Sequence, residues 1–430
     1  MRELLTLSRA PRLLLVFPIA VSVFSVALAL LSNAAVAAPS ARLENEAGEE
    51  GNLELVVAGQ ALIKVDPRRT WDDPFGTVRS IVQSADVGFT NFEMAVNASG
   101  NGCNVPEDYV TVLGAPRIQQ EERPGNASRP HAVESSVMEF LASMNFKLMS
   151  LANNHTWDLG ECGVQATIAA ADRYGVTHAG AGSSADEAVA PAFLEVGGTK
   201  IALVAATTSH DERHLLVGEV NGVWTGHGDD WDRNIAAVRE AAEKADFVIY
   251  YQHFQIDLDE FEGMDEGEAT EDGHRRIDDV AQWQGDFAKA IIDAGASIYI
   301  GHGHRGFDGV EIYKGRPIFR QFGGLAYQGL RPEIGAYEGH FAWWGLLGIL
   351  TVRESYVKSI EFVPLDIDEG EEYIADYDAV DFLTRRGFAE VASGTLATDI
   401  LTRFQELSAH YGASVKIRGE RAFVAINEDR

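Results

Sequence analysis

Six short runs rich in apolar and β-branched residues recur along the chain: LELVVAG (53–59), ADVGFTNFE (85–93), FKLMSLANN (146–154), KIALVAATT (200–208), ADFVIYYQHF (245–254) and ASIYIGHGH (296–304). They read as strands. Between them, SSVMEFLASM, GVQATIAAADRYG, NIAAVREAAEKA and DFAKAIIDAG carry helical apolar spacing, with Gly175 and Gly295 placed as C-terminal caps. Strands alternating with helices predict an α/β sheet domain. Residues 97–131, rich in Gly, Pro, Asn and charge, read as a long loop. Residues 257–273 hold nine carboxylates and no cation; without the ordered spacing of a calcium loop they read as a solvated acidic loop. Beyond residue 365 come helical patterns near 377–390 and 395–410 and a hairpin-like end, SVKIRGERAFVAI. No internal repeat is visible. The chain divides into a main domain over 50–365 and a small helical extension over 366–430 packed on it.

The first residues follow a different rule. Arg2, Arg9 and Arg12 precede an uncharged apolar run, residues 13–31, and Ala35-Val36-Ala37 supplies a small-x-small cleavage site. The run is also about the length of a membrane span, roughly 20 residues. Residues 1–37 are therefore a signal peptide or an uncleaved anchor, and both leave the remainder exported, in the periplasm or at the cell surface. No cysteine follows the run, which excludes a lipid-modified cysteine there. Cys103 and Cys162 sit in a compartment that permits disulfides, and one bridge or two free thiols both fit. The formal charge of −30 repels nucleic acid and anionic membranes, so nucleic acid is excluded as a partner and membrane contact is confined to the N-terminal segment.

The candidate chemistry lies at strand ends. Five of the six runs finish in Gln60, in Asn91 with Glu93, in Asn154 with His155, in His253, or in His302 with His304. Ligands of α/β sheets bind outside the carboxyl ends of strands, and residues two apart face the same way. Imidazoles, a carboxylate and an amide oxygen suit a divalent ion such as zinc, manganese or iron. Asn154 is expected to give its side-chain oxygen to the ion, His155 to donate a proton, and Asp158 to orient that imidazole. Trp157 and Trp231 fit either a substrate cleft or core packing. Three Asn-x-Ser/Thr sequons, at Asn97, Asn126 and Asn154, are read as chance.

The segments TNFEMAV, SLANNHTWDLGECG and IIDAGASIYIGHGHRGFDGVEIYKGRPIF together resemble the bacterial CapA family, tied to capsule and poly-γ-glutamate synthesis. The resemblance runs from about residue 53 to DILTRFQELSAHYGASVKI near the C-terminus. It implies a calcineurin-like metallophosphoesterase fold, an αββα sandwich of two sheets between helices. It also implies roles by motif: Glu93 as acidic ligand, Asn154-His155 as the signature pair, His253 and His302 as further ligands, and His304 as a ligand of a second site. The family's first strand ends in Gly-Asp, whereas here it reads Gly59-Gln60, with Asp66 a candidate substitute. The family's HWG is His253-Phe254-Gln255, and its SLGN is Gln321-Phe322-Gly323-Gly324. The implied protein is an exported metal-dependent hydrolase with one divalent Mn, Zn or Fe ion per chain, a metal-activated water as nucleophile and His155 as general acid. Its substrate would be a phosphoester, or an amide of a cell-envelope polymer, and capsule-synthesis membrane proteins are its expected partners. The alternative is a non-catalytic component that binds or guides the polymer through a degenerate metal site.

Overall fold

The computed structural model describes residues 52–97, 109–112, 115–118, 131–208, 228–254, 282–303, 306–328, 343–367 and 387–426. Each of the six apolar runs contains a strand: Leu53–Leu62, Val87–Phe92, Phe146–Ser150, Thr199–Thr208, Phe247–Phe254 and Ile298–His302. They divide between two sheets. Leu53–Leu62, Val87–Phe92, Phe146–Ser150 and Thr177–Ala179 run parallel side by side. Antiparallel strands Trp344–Arg353, Tyr356–Asp366 and the hairpin Val415–Arg418/Arg421–Ala425 widen that sheet. In the second sheet Thr199–Thr208, Phe247–Phe254 and Ile298–His302 run parallel. It is closed at one edge by Ala192–Val196 and at the other by the hairpin Val310–Tyr313/Arg316–Phe319.

Alternation along each strand sets what it faces. Leu55, Val57 and Phe89 of the first sheet share one apolar cluster with Ile201, Leu203, Ile249, Tyr251, Ile298 and Ile300 of the second. Their neighbours point away. Val56 and Ala58 pack with the helices Gly76–Ser84, Ser135–Ser143 and Gly160–Arg173. Val248, Tyr250 and Tyr299 pack with Gly228–Lys244 and Gln282–Ala294. The result is a mixed α/β fold of parallel and antiparallel sheets, with an apolar seam between the sheets and helices outside each. Gly175 and Gly295, at φ +66 and +123, do end helices as their positions suggest.

Several expectations change. The third strand stops at Ser150, because the Ser150 hydroxyl accepts the Ala152 N–H at 3.1 Å and turns the chain before LANNH. The stretch read as a loop over 97–131 contains a hairpin, Tyr109–Val112 against Ala115–Ile118. The helical pattern at 377–390 lies largely outside the described residues, and Glu390–Val391 is a short strand against Leu365 and Asp366. The second pattern forms the helix Gly394–His410, whose Ile400, Leu401 and Phe404 enter the seam, with Phe404 4.5 Å from the Phe362 ring. Trp157 and Trp231 pack against apolar clusters. Cys162 is disulfide-bonded; Cys103, the other cysteine of the sequence, lies outside the described residues, as do residues 1–37, the acidic loop and His304. Among the described residues no helix is long and apolar enough to cross a membrane.

Candidate metal centre

The seam decides where the polar strand ends go. Leu55, Val57 and Phe89 face it, so two further steps along the second strand carry Asn91 and then Glu93 to the same side. In the other sheet Tyr251 faces the seam, and so does His253, two residues on. His302 stands beside His253 in parallel register. The two sheets thus bring Glu93, His253 and His302 together, with ligand atoms within 4.8 Å of one another. Glu93 is 4% exposed and both histidines are 0% exposed. His253 Nε2 lies 4.0 Å from Glu93 Oε1, and the imidazole rings lie 6.1 Å apart. Ligands at about 2.0–2.2 Å from one ion sit roughly 3–4 Å apart, so these dimensions suit a single divalent cation.

Asn154, in the turn beyond the third strand, carries a buried oxygen, Oδ1, with no hydrogen-bond partner among the described residues. Such an oxygen is costly unless a ligand satisfies it. Its Nδ2 is occupied, 3.2 Å from His155 Nε2. The donor set of one carboxylate and two imidazoles fits a borderline ion of the zinc, manganese or iron kind.

The turn beyond the third strand holds this arrangement. Asn153 Oδ1 accepts the His155 N–H at 3.0 Å, and Asn153 Nδ2 donates to Asn91 Oδ1 at 3.2 Å and to the Phe92 carbonyl at 2.9 Å. Asn91 Nδ2 in turn lies 3.4 Å from Glu93 Oε2. His155 Nδ1 meets Asp158 Oδ2 at 2.8 Å. An ionised carboxylate only accepts, so Nδ1 carries the proton and Nε2 presents its lone pair beside Asn154. Tyr251 feels the same carboxylate. Burial, and then the Glu93 charge, hold its phenol well above its ordinary pKa and keep it protonated.

Two expected residues stand apart. Asp66 is not available as a substitute ligand: it accepts from the Arg68 backbone at 3.1 Å and pairs with the Arg68 guanidinium at 2.6 Å. Burial pushes its carboxyl pKa up, but the Arg68 hydrogen bonds and charge outweigh that and lower it. Gln60 is 3% exposed and sits opposite Asn91, at the end of the first strand. There the ladder is irregular, and the Gly59 carbonyl accepts from Thr90 Oγ1 at 2.6 Å. A Cβ on Gly59 would lie 1.6 Å from the Gly323 carbonyl, so only glycine fits.

Two residues were missed. Lys64 and His131 are 4% and 9% exposed, and Lys64 Nζ meets His131 Nδ1. The His131 ring stands edge-on to His155, centroids 3.9 Å apart, and the His131 backbone N–H donates to Asp158 Oδ2 at 2.5 Å. A cation four residues past a polar strand end was the available signal for Lys64; His131 had none, standing at the end of the stretch read as loop.

Fold and site define a mixed α/β protein with a buried acid-and-histidine centre at the carboxyl ends of strands from two sheets. The family model of the bacterial capsule synthesis protein PGA_cap matches residues 54–326, and the chain belongs to that family. Among similar proteins, "Uncharacterized protein y4sH" of Sinorhizobium fredii is 24% identical over 84% of this chain and 91% of its own length. "PGA biosynthesis protein CapA" of Bacillus subtilis is 24% identical over 63% of this chain and 61% of its own. "Probable polyglutamine synthesis accessory protein MT0602" of Mycobacterium tuberculosis is 27% identical over 72% and 73%.

Proposed function

We propose that this chain is an exported CapA-type hydrolase of the cell envelope. It would cleave a phosphoester, or an amide of a poly-γ-glutamate-like polymer, with help from one divalent ion. The carrying observation is the buried Glu93–His253–His302 cluster; the buried, unpartnered Asn154 oxygen supports its place as a further ligand. The helix–sheet–sheet–helix layering supports a calcineurin-like metallophosphoesterase architecture. On this reading residues 1–37 direct export, 50–365 form the hydrolase domain and 366–430 are its extension. Family membership and relatives named for capsule or polyglutamate synthesis support an envelope location and polymer.

Glu93, His253, His302 and Asn154 Oδ1 would hold the ion, which supplies Lewis acidity at the scissile group when bound. The rest of the chemistry falls to side chains. Asp158 keeps the His155 proton on Nδ1 and the ring in place. Nε2, once protonated, delivers its proton to the departing oxygen or nitrogen. The apolar seam below excludes water from the carboxylate and both imidazoles.

Gln60 favours a second reading. A neutral amide stands where relatives by motif carry a ligand aspartate, and a site holding one ion or none would suit a protein that binds or guides polymer without cutting it.

Metal content and turnover distinguish the two. The first reading expects about one ion per chain and hydrolysis of a phosphodiester or of poly-γ-glutamate. It also expects His155→Ala to keep the ion and lose about 10²–10⁴-fold in kcat on an alkyl leaving group, with a much smaller loss on a nitrophenolate. Protein that binds no ion, or binds one and cleaves neither substrate, overturns the hydrolase. Equal losses on the two leaving groups remove His155 as the acid.

A further inference from the structure

We propose that Lys64 and His131 are a positioning pair that holds His155 from its Nδ1 side; its catalytic value rests on the hydrolase reading above, its geometry does not. Four contacts converge. Asp158 Oδ2 receives both the His155 Nδ1–H, at 2.8 Å, and the His131 backbone N–H, at 2.5 Å. One oxygen therefore ties the His131 backbone to the imidazole that faces Asn154. The His131 ring then packs edge-on against His155 at 3.9 Å between centroids, so His155 cannot swing away from Asp158 without displacing it. Lys64 Nζ meets His131 Nδ1. An ammonium only donates, so Nδ1 of His131 is an acceptor and its ring proton sits on Nε2.

Burial gives these contacts their force. Lys64, His131 and Asp158 are 4%, 9% and 6% exposed in whole residue or side chain, and His155 is 14% exposed at its side chain. Electrostatic contacts shielded from water are stronger and more directional than at a surface. Lys64 lies on the segment that leaves the first strand, and His131 opens the short strand Ala132–Val133. The pair thus braces the proton-donating side of the centre against two segments that contribute none of Glu93, His253 or His302. Partners of this outer kind typically change activity by about 10–100-fold when removed.

The test reads His155 directly, in the full-length protein with its zinc content measured. Labelling with ¹⁵N-histidine gives signals from the chain's 12 histidines, and loss in His155→Ala assigns the His155 Nδ1–H. In Lys64→Met and His131→Leu that proton is expected to exchange with water at least about tenfold faster, or its nitrogens to shift toward a tautomer mixture, while zinc per chain is unchanged. Lys64→Arg, which keeps a donor, is expected to restore the wild-type signal. Should His131→Leu fail to fold, His131→Gln, which keeps an acceptor for Lys64, replaces it with the same readout. Wild-type exchange and tautomer in Lys64→Met and in the His131 variant would overturn the pair, whatever their melting temperatures. A structural role alone would lower melting without moving the tautomer. Because this measurement needs no turnover, an inactive wild type would sink the hydrolase reading and leave the positioning result standing. With turnover, the loss in Lys64→Met is expected to be larger for alkyl than for nitrophenyl leaving groups, as for His155 itself.

Discussion

Asn153 Nδ2 donates to Asn91 Oδ1 across 3.2 Å, and this contact helps join the turn that carries Asn154 and His155 to the strand that leads into Glu93. Both residues are 0% exposed. Asn153→Ala would leave two partners unmatched, Asn91 Oδ1 and the His155 N–H, and take one of two donors from the Phe92 carbonyl, which keeps the Met94 N–H at 3.0 Å. A buried group left without its hydrogen bond costs about 1–3 kcal/mol, so a total near 3 kcal/mol is expected. Chemical denaturation should show this loss, together with weaker metal binding as Asn154 and Glu93 lose their common support. Unchanged stability would mean that water replaces the amide at little cost.

Removing one ligand at a time should separate metal binding from folding. His253→Ala and Glu93→Gln are expected to lose the bound ion while keeping a cooperative unfolding transition. His253→Ala deletes a fully buried ring and should cost on the order of 2–4 kcal/mol besides. Glu93→Gln keeps the volume and should leave the metal-free protein as stable as wild type or more so, because it removes a buried charge. Elemental analysis of the two purified variants is the check; full metal occupancy in either would place the ion elsewhere.

Gln60→Asp places a carboxylate near the end of the first strand. Metal per chain should rise from about one toward two. Without metal the variant should melt lower than wild type, since an unpaired buried carboxylate is unfavourable, and added manganese should reverse the loss. A stoichiometry that stays at one would show that the second position needs more than this charge.

His178 gives the fold a pH dependence away from the metal centre. Burial lowers its pKa from the ordinary 6.5, and the Asp172 charge and hydrogen bond only partly compensate. The unfolded chain therefore binds the proton more readily than the folded one. Stability is fully present above about pH 6.5 and falls as the pH drops toward the folded value. Melting temperatures of wild type and His178→Gln at pH 7.5 and 5.5 test this: the wild type should lose more on acidification than the variant.

The strand ends were legible because polar residues closing apolar runs are rare without a purpose, and Glu93, His253 and His302 all announced themselves that way. Which way they face was not. The strand Phe247–Phe254 is buried along its whole length, so no polar alternation in FVIYYQHF marks the face that carries His253. Only the opposing sheet tells Tyr251 from Tyr250. Lys64 and His131 escaped for another reason: 67 positions separate them in sequence, and nothing local to either foretells the contact. Asp66 misled because a short-range partner, Arg68, claims its carboxylate; that competition is visible in the sequence as Asp-Pro-Arg-Arg but looks like surface charge.

The seam itself has a mechanical consequence. Glu93 hangs from one sheet, His253 and His302 from the other, so an ion held by all three is a clasp across the sandwich. Binding energy is then delivered as resistance to the sheets parting at that end: an ion at 100 times its dissociation constant adds about 2.7 kcal/mol to the folded state. Metal supplied after folding would act as a lock, and its concentration in the surroundings would set how long the sandwich endures.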